Sequence, residues 1–150
     1  MDTITSEQRS KVMSRVRSKD TTLEVKVRSA LFRRGLRFRK HYNLPGVPDI
    51  VFVRERLAVF IDSCFWHGCP KHLRMPATNS EYWQKKIARN IERDRAYARW
   101  YRKSEWRMMR VWEHDLKERF DGCVDRIERT VLSRRRARCS RPEANTRGSQ

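Results

Sequence analysis

Two short runs dominate what this chain can bury: Asp49-Ile-Val-Phe-Val53 and Leu57-Ala-Val-Phe-Ile-Asp62, separated only by Arg54-Glu55-Arg56. Their β-branched and aromatic content predicts two strands, and the three-residue gap predicts an antiparallel hairpin. Helical patterns flank them. Thr21 with Glu24 fits a capping box, and Leu23, Val27, Ala30 and Leu31 then form an apolar stripe that ends at Gly35. Residues 36–42 (LRFRKHY) alternate as a further strand, and Leu44-Pro-Gly-Val-Pro48 is a turn. Asn79 or Ser80 can cap a long helix to about Lys103, with Trp83, Ile87, Ile91, Ala98 and Tyr101 on its buried side together with Asn90 and Asp94. Residues 106–112 (WRMMRVW) read as a strand, and Val124, Ile127 and Val131 mark a last helix. The expected architecture is α/β, a mixed sheet flanked by helices, in the order α, β, β, β, α, β, α. The last strand returns beside the hairpin through the helical crossover.

Charge narrows the partner. Among 150 residues, 36 Lys+Arg face 18 Asp+Glu, a formal net charge of +18, so the partner should be acidic. Five Trp, six Phe and four Tyr supply enough apolar area for a modest core, which argues against a disordered chain. Lys11, Arg15 and Lys19, beside Val12, Met13 and Val16, recur at helical spacing and form a basic face suited to lying along phosphates. Residues 133–150 hold six Arg and no large apolar side chain, so a mobile tail is expected after a single domain over residues 1–132. No run approaches the about 18 apolar residues of a membrane span, and the first residues lack a secretory core, so a cytoplasmic, nucleoid-associated protein is expected. In such a reducing compartment the four Cys serve as metal ligands or free thiols.

Cys64, Cys69 and His72 form a C-x4-C-x2-H cluster at a strand end, and His114 lies just beyond the last strand, where it could complete a tetrahedron. That ligand set suits a structural Zn²⁺, with Cys123 the competitor for the fourth position; the plain alternative is two small apolar thiols and two surface imidazoles. His67 is surplus to four ligands, and Gly68 beside it permits a sharp turn, which leaves the imidazole free for proton transfer or for solvent. Asp49 and Asp62 at adjacent strand ends offer oxygen ligands for Mg²⁺, although Asp is also common where strands turn. Phe65, Trp66 and Trp83 either stack on bases or pack around the metal cluster.

Pro48-Asp49, Asp62-Ser63-Cys64-Phe65-Trp66-His67-Gly68-Cys69-Pro70, Tyr82-Trp83 through Asn90-Ile91-Glu92-Arg93-Asp94, and Val111-Trp112-Glu113 together resemble the bacterial very short patch repair (Vsr) DNA mismatch endonucleases. The likeness spans about residues 9–116 and includes Arg9-Ser10-Lys11-x-Met13 and Asp20-Thr21-x-x-Glu24; the helix after residue 120 and the Arg-rich tail find no clear counterpart. The resemblance implies a restriction-endonuclease-like (PD-(D/E)xK-type) fold with structural zinc. It also implies Mg²⁺-dependent nicking of duplex DNA 5′ to the thymine of a T:G mismatch left by 5-methylcytosine deamination. Carried over by position, Asp49 and the backbone carbonyl of Ile61 hold Mg²⁺, His67 is the water-activating base and Asp94 orients it. Phe65, Trp66 and Trp83 wedge into the duplex, while the helix bearing Lys11, Met13, Arg15 and Lys19 clamps it. Asp62 stands where some members carry His and could restore a second catalytic carboxylate; Cys64 stands where the wider pattern has Lys, so His67 takes over that role. A Cys often occupies the position of His114, and Glu24 is either a cap or a group near the metal. Double-stranded DNA with the mismatch is the expected partner, a mismatch-repair recruitment factor a further one, and a monomer suffices because the mismatch is asymmetric. The competing readings are a related nuclease for modified or branched DNA and a non-enzymatic zinc-stabilised DNA-binding module.

Overall fold

The computed structural model describes residues 21–141. The first helix, α1 (Thr22–Arg33), begins where the sequence places it: Thr21 Oγ1 accepts the Glu24 N–H at 3.3 Å. It ends in a Schellman arrangement, with Gly35 at φ +80° donating to the Phe32 carbonyl and Leu36 donating to that of Leu31. Val27 and Leu31 are fully buried on its inner face.

The two apolar runs form β1 (Ile50–Phe52) and β2 (Leu57–Asp62), paired antiparallel with Val51 opposite Ala58. A 24-residue helix, α2 (Ser80–Lys103), crosses over to β3 (Arg107–Trp112), which runs parallel to β2 from Leu57↔Arg107 to Asp62↔Trp112. The sheet order β1-β2-β3 is therefore mixed, as expected, and β3 is an edge. Pleat alternation sends the sheet's side chains to two cores. Ile50, Phe52, Leu57, Val59 and Val111 pack with α1 and the last helix, whereas Ala58 and Phe60 meet Tyr101 of α2.

Three features depart from the sequence reading. The strand expected over residues 36–42 is reduced to a single bridge, Arg39 with Val51, because His41 adopts φ +54° and turns the chain off the sheet. A short helix, α3 (Glu113–Glu118), follows β3 and carries His114. The last helix, α4 (Phe120–Cys139), continues well past the expected start of the tail at Ser133. Polar anchors hold that extension: Arg134 donates to the Glu55 carbonyl at 2.6 Å, and Arg135 Nε donates to the buried Glu55 carboxylate at 2.9 Å. Residues 142–150 of the expected tail, and Lys11, Met13, Arg15 and Lys19, lie outside the described residues. No helix among the described residues is long and apolar enough to cross a membrane.

Candidate active site and metal centre

The loop from Ser63 to Leu73 leaves β2 and folds on itself through Cys69 N–H to the Cys64 carbonyl (2.9 Å) and Leu73 N–H to the Cys69 carbonyl (3.1 Å). These turns bring Cys64, Cys69 and His72 beside His114 of α3. One ligand atom from each lies within 4.8 Å of the others, the only such group among the described residues. Cys64 Sγ is 3.2 Å and Cys69 Sγ 3.6 Å from His114 Nδ1, and Cys69 Sγ is 3.8 Å from His72 Nδ1. Sulfur and nitrogen ligands on one tetrahedral zinc stand about 3.6 Å apart, from bond lengths of about 2.3 and 2.1 Å, so this donor set is compatible with zinc. The other ring nitrogen of His114 faces Asp115 Oδ1 at 3.5 Å, an outer carboxylate of the kind that orients a ligating imidazole. Cys123, the competing fourth ligand, is buried in the core on α4, outside the cluster.

His67 sits in the same loop but turns away from the cluster. Gly68 makes this feasible: at φ +62° it passes so close to α2 that a Cβ would stand 2.6 Å from Ile91 Cδ1. Asn90 of α2 holds the loop by donating to the Trp66 carbonyl at 3.1 Å. One turn further along α2, Asp94 Oδ2 lies 2.7 Å from His67 Nδ1. The opposite ring nitrogen, Nε2, faces Asp62 Oδ1 at 3.6 Å. Burial alone would push the His67 imidazole down, but the hydrogen bond to Asp94 and the charges of Asp62 and Asp94 outweigh it and hold its pKa above the ordinary value. For Asp94, burial acts upward and is outweighed by His67 and Arg110, so this carboxyl lies below its ordinary range.

Arg110 was not anticipated. Its Nε donates to Asp62 Oδ2, and an Nη donates to Asp94 Oδ2 at 3.2 Å, so one guanidinium from β3 clamps carboxylates from β2 and α2. An arginine in so basic a chain reads as a solvated charge. The available signal was alternation, since β2 and β3 run in register and place Arg110 on the same face as Asp62, whose neighbour across the strands is Trp112. Asp62, His67, Asp94 and Arg110 line a cleft of about 270 Å³ between α2 and the sheet.

Asp49 is not among the residues that line that cleft, and the Asp62 carboxylate accepts a hydrogen bond from Arg110. Its Oδ2 accepts the Ile61 N–H at 2.6 Å, which ties the start of β1 to the end of β2. Burial raises its pKa to about 7; the Ile61 N–H opposes the shift, Glu24 and Asp62 add to it, and Arg28 subtracts from it. Glu24 is buried and 3.7 Å from Arg28, so it does more than cap α1: it contributes charge to this corner. A carboxyl pushed toward neutrality by burial and by neighbouring acids is a position where a bound cation relieves the repulsion, so the residues present fit a hard divalent ion.

The aromatics form one cluster. Phe65 and Trp66 are half-buried with ring centroids 5.0 Å apart, and they meet Trp83 at 5.5 and 5.9 Å. Trp83, on the buried side of its helix as the spacing predicts, is only 8% exposed and supports the other two from α2. Lys86, one turn along, lies over the Trp66 ring at 5.1 Å and adds a cation to the cluster.

The family described as DNA mismatch endonuclease Vsr matches residues 1–72 of the chain. The Type II nicking enzyme V.NaeI of Lentzea aerocolonigenes is 46% identical over 126 residues, 79% of this chain and 76% of the relative. The Type II nicking enzyme V.XorIIP of Xanthomonas oryzae is 40% identical over 133 residues, 87% and 96% of the two chains. The DNA mismatch endonuclease Vsr of Escherichia coli is 40% identical over 113 residues, 74% and 72% of the two chains.

Proposed function

The chain belongs to the Vsr family of DNA mismatch endonucleases, and from that premise we propose that it nicks one strand of duplex DNA 5′ to the thymine of a T:G mismatch, with Mg²⁺ for the reaction and Zn²⁺ for the fold. The observation that carries the mechanism is the 2.7 Å contact between His67 Nδ1 and Asp94 Oδ2. With its proton on Nδ1 donated to Asp94, His67 keeps the Nε2 lone pair on the cleft side, where it accepts the proton of an attacking water. Asp94 steadies the imidazolium that results, and Arg110 holds the Asp94 and Asp62 carboxylates in place. Asp49 and the Ile61 carbonyl would hold magnesium, which would supply positive charge against the scissile phosphate. Cys64, Cys69, His72 and His114 would hold zinc, which would tie down the loop that presents His67.

Phe65 and Trp66 enter the duplex at the mismatch, braced by Trp83. A T:G wobble stacks poorly, so opening the helix there costs less than at a matched pair and shape alone discriminates. Lys11, Met13, Arg15 and Lys19 lie along the backbone as a clamp. Asp49→Ala and His67→Ala, assayed on a nicked-strand gel and by equilibrium binding, are expected to lose nicking by at least about a hundredfold while still binding duplex DNA. Wild-type nicking rates in either variant would contradict the assignment.

A further inference from the structure

On the opposite face of the sheet from His67, a second cleft of about 350 Å³ opens between the β3 edge and α4, lined by Arg107, Arg126, Arg129, Thr130, Ser133 and Arg134. No acidic residue lines it. Elsewhere in the chain, prominent arginines meet carboxylates: Arg34 bonds Asp125 and Glu128, Arg119 bonds Asp115, and Arg135 bonds Glu55. Among the described residues, the four cleft arginines form no ion pair with a carboxylate. Two of them are fixed by backbone oxygens, which leave their charge intact. Arg126 donates to the Arg110 carbonyl at 2.8 Å, and Arg134 donates to the carbonyls of Glu55 and Glu105 at 2.6 and 3.2 Å. Among the described residues the side chains of Arg107 and Arg129 make no hydrogen bond or ion pair, so their guanidiniums stand ready for an external acceptor. Like charges held this close repel, and burial together with Arg107, Arg138 and Arg56 lowers the pKa of Arg134.

From this geometry we infer that the arginine cleft between β3 and α4 is a phosphate site that grips the backbone of the substrate duplex beside the nicking centre. Both clefts are lined by residues of β3. Because β3 is the edge strand, Arg110 faces the His67 cleft while Arg107, three residues earlier, faces the arginine cleft. Three residues of strand span about 10 Å, the length of about three base pairs of duplex. A backbone running along the β3 edge therefore meets both clefts. Planar guanidiniums suit phosphate oxygens, and the hydroxyls of Thr130 and Ser133 add further polar contacts. The inference takes from the nuclease reading only that the bound duplex is the substrate.

The test is the Arg107→Gln/Arg129→Gln full-length protein, whose changes remove no hydrogen bond of the fold. Binding to a 30-base-pair duplex is measured as a function of salt, with and without a T:G pair, beside a Lys26→Gln/Arg33→Gln control that removes two exposed cations from α1. Each lost phosphate contact flattens the log–log salt slope by about one, so the cleft variant should lose about two and the control less than one. Single phosphates are then replaced by neutral methylphosphonates along each strand. One or two positions within a few base pairs of the nick should weaken wild-type binding yet leave the variant indifferent. An unchanged slope, an equal loss in the control, or a wild-type phosphate pattern retained in the variant would overturn the inference. Nicking of the T:G strand on the same duplexes reports separately on the nuclease reading.

Discussion

Replacing Asp49 by Asn should make the protein more stable and inactive at once. The carboxyl titrates at about 7 in the fold against an ordinary 3.8, a difference of about three units at about 1.4 kcal/mol each. Ionised and without a cation, Asp49 therefore opposes folding by up to about 4 kcal/mol, and because the side chain keeps partial access to solvent, about 2 kcal/mol is expected. Asn removes the charge and keeps an oxygen for the Ile61 N–H, the 2.6 Å contact that joins β1 to β2. For a chain of this size, about 2 kcal/mol raises Tm by about 4–8 °C. The sign with pH follows from the raised pKa. The wild-type fold retains a proton that the unfolded chain releases, so wild-type stability falls as pH rises from about 4 to about 7 and is level above that. Calorimetry in magnesium-free buffer, with zinc retained, should show the Asn variant ahead at pH 8 and its lead shrinking by pH 5.5. Adding Mg²⁺ should stabilise the wild type and leave the variant unmoved. A variant less stable than wild type at pH 8, or a lead independent of pH, would refute the argument that this corner is built around an absent positive charge.

Other consequences follow from the same contacts. Arg110→Met leaves the Asp62 carboxylate buried beside Asp94 without its partner and should cost about 2–4 kcal/mol, with denaturant melts of Asp62→Asn/Arg110→Met recovering most of it. Protein purified without chelator should contain one zinc per chain by elemental analysis, and Cys69→Ala or His114→Ala should lower both zinc content and Tm; full stability in metal-free protein would count against a structural zinc. Gly68→Ala drives a methyl group against Ile91 and strains a left-handed residue, so the loop must shift; nicking should fall at least about tenfold, since small displacements of a catalytic group are costly, while DNA affinity changes little. Asp94→Asn should lower kcat by about ten- to a hundredfold through loss of a charge-assisted bond, with unchanged DNA affinity.

Local signals in the chain were sufficient for most of the fold. Thr21, Gly35 and the apolar stripe between them delimit α1 because caps and stripes act within a few residues, and the spacing of residues 49–62 fixes a hairpin for the same reason. The parallel return of β3 followed from connection rules. The strand expected at residues 36–42 failed because alternation is silent about a backbone angle such as that of His41. The helical run from Ser133 to Cys139 was hidden because its supports are not apolar: Arg134 and Arg135 bind Glu55, a residue read only as part of a turn. In the site, Cys64, Cys69 and His72 announce themselves by spacing, whereas His114 joins them from 42 positions after His72 and needed the sheet to bring it there. His67 stands out as surplus to the four metal ligands, whereas its pairing with Asp94 is reached only through family likeness. Arg110 was legible from neither, since its role exists only once β3 lies beside β2 and α2 covers both.

The account turns on one assay: end-labelled duplexes that differ only in a single T:G or T:A pair, placed in several flanking sequences and incubated with the zinc-loaded protein and Mg²⁺ or EDTA. Cleavage confined to the thymine strand, immediately 5′ of the mismatched thymine, present with Mg²⁺ and absent with EDTA, is the predicted result. Equal cutting of T:G and T:A duplexes, or no cutting in any context by folded protein that binds both, would contradict it.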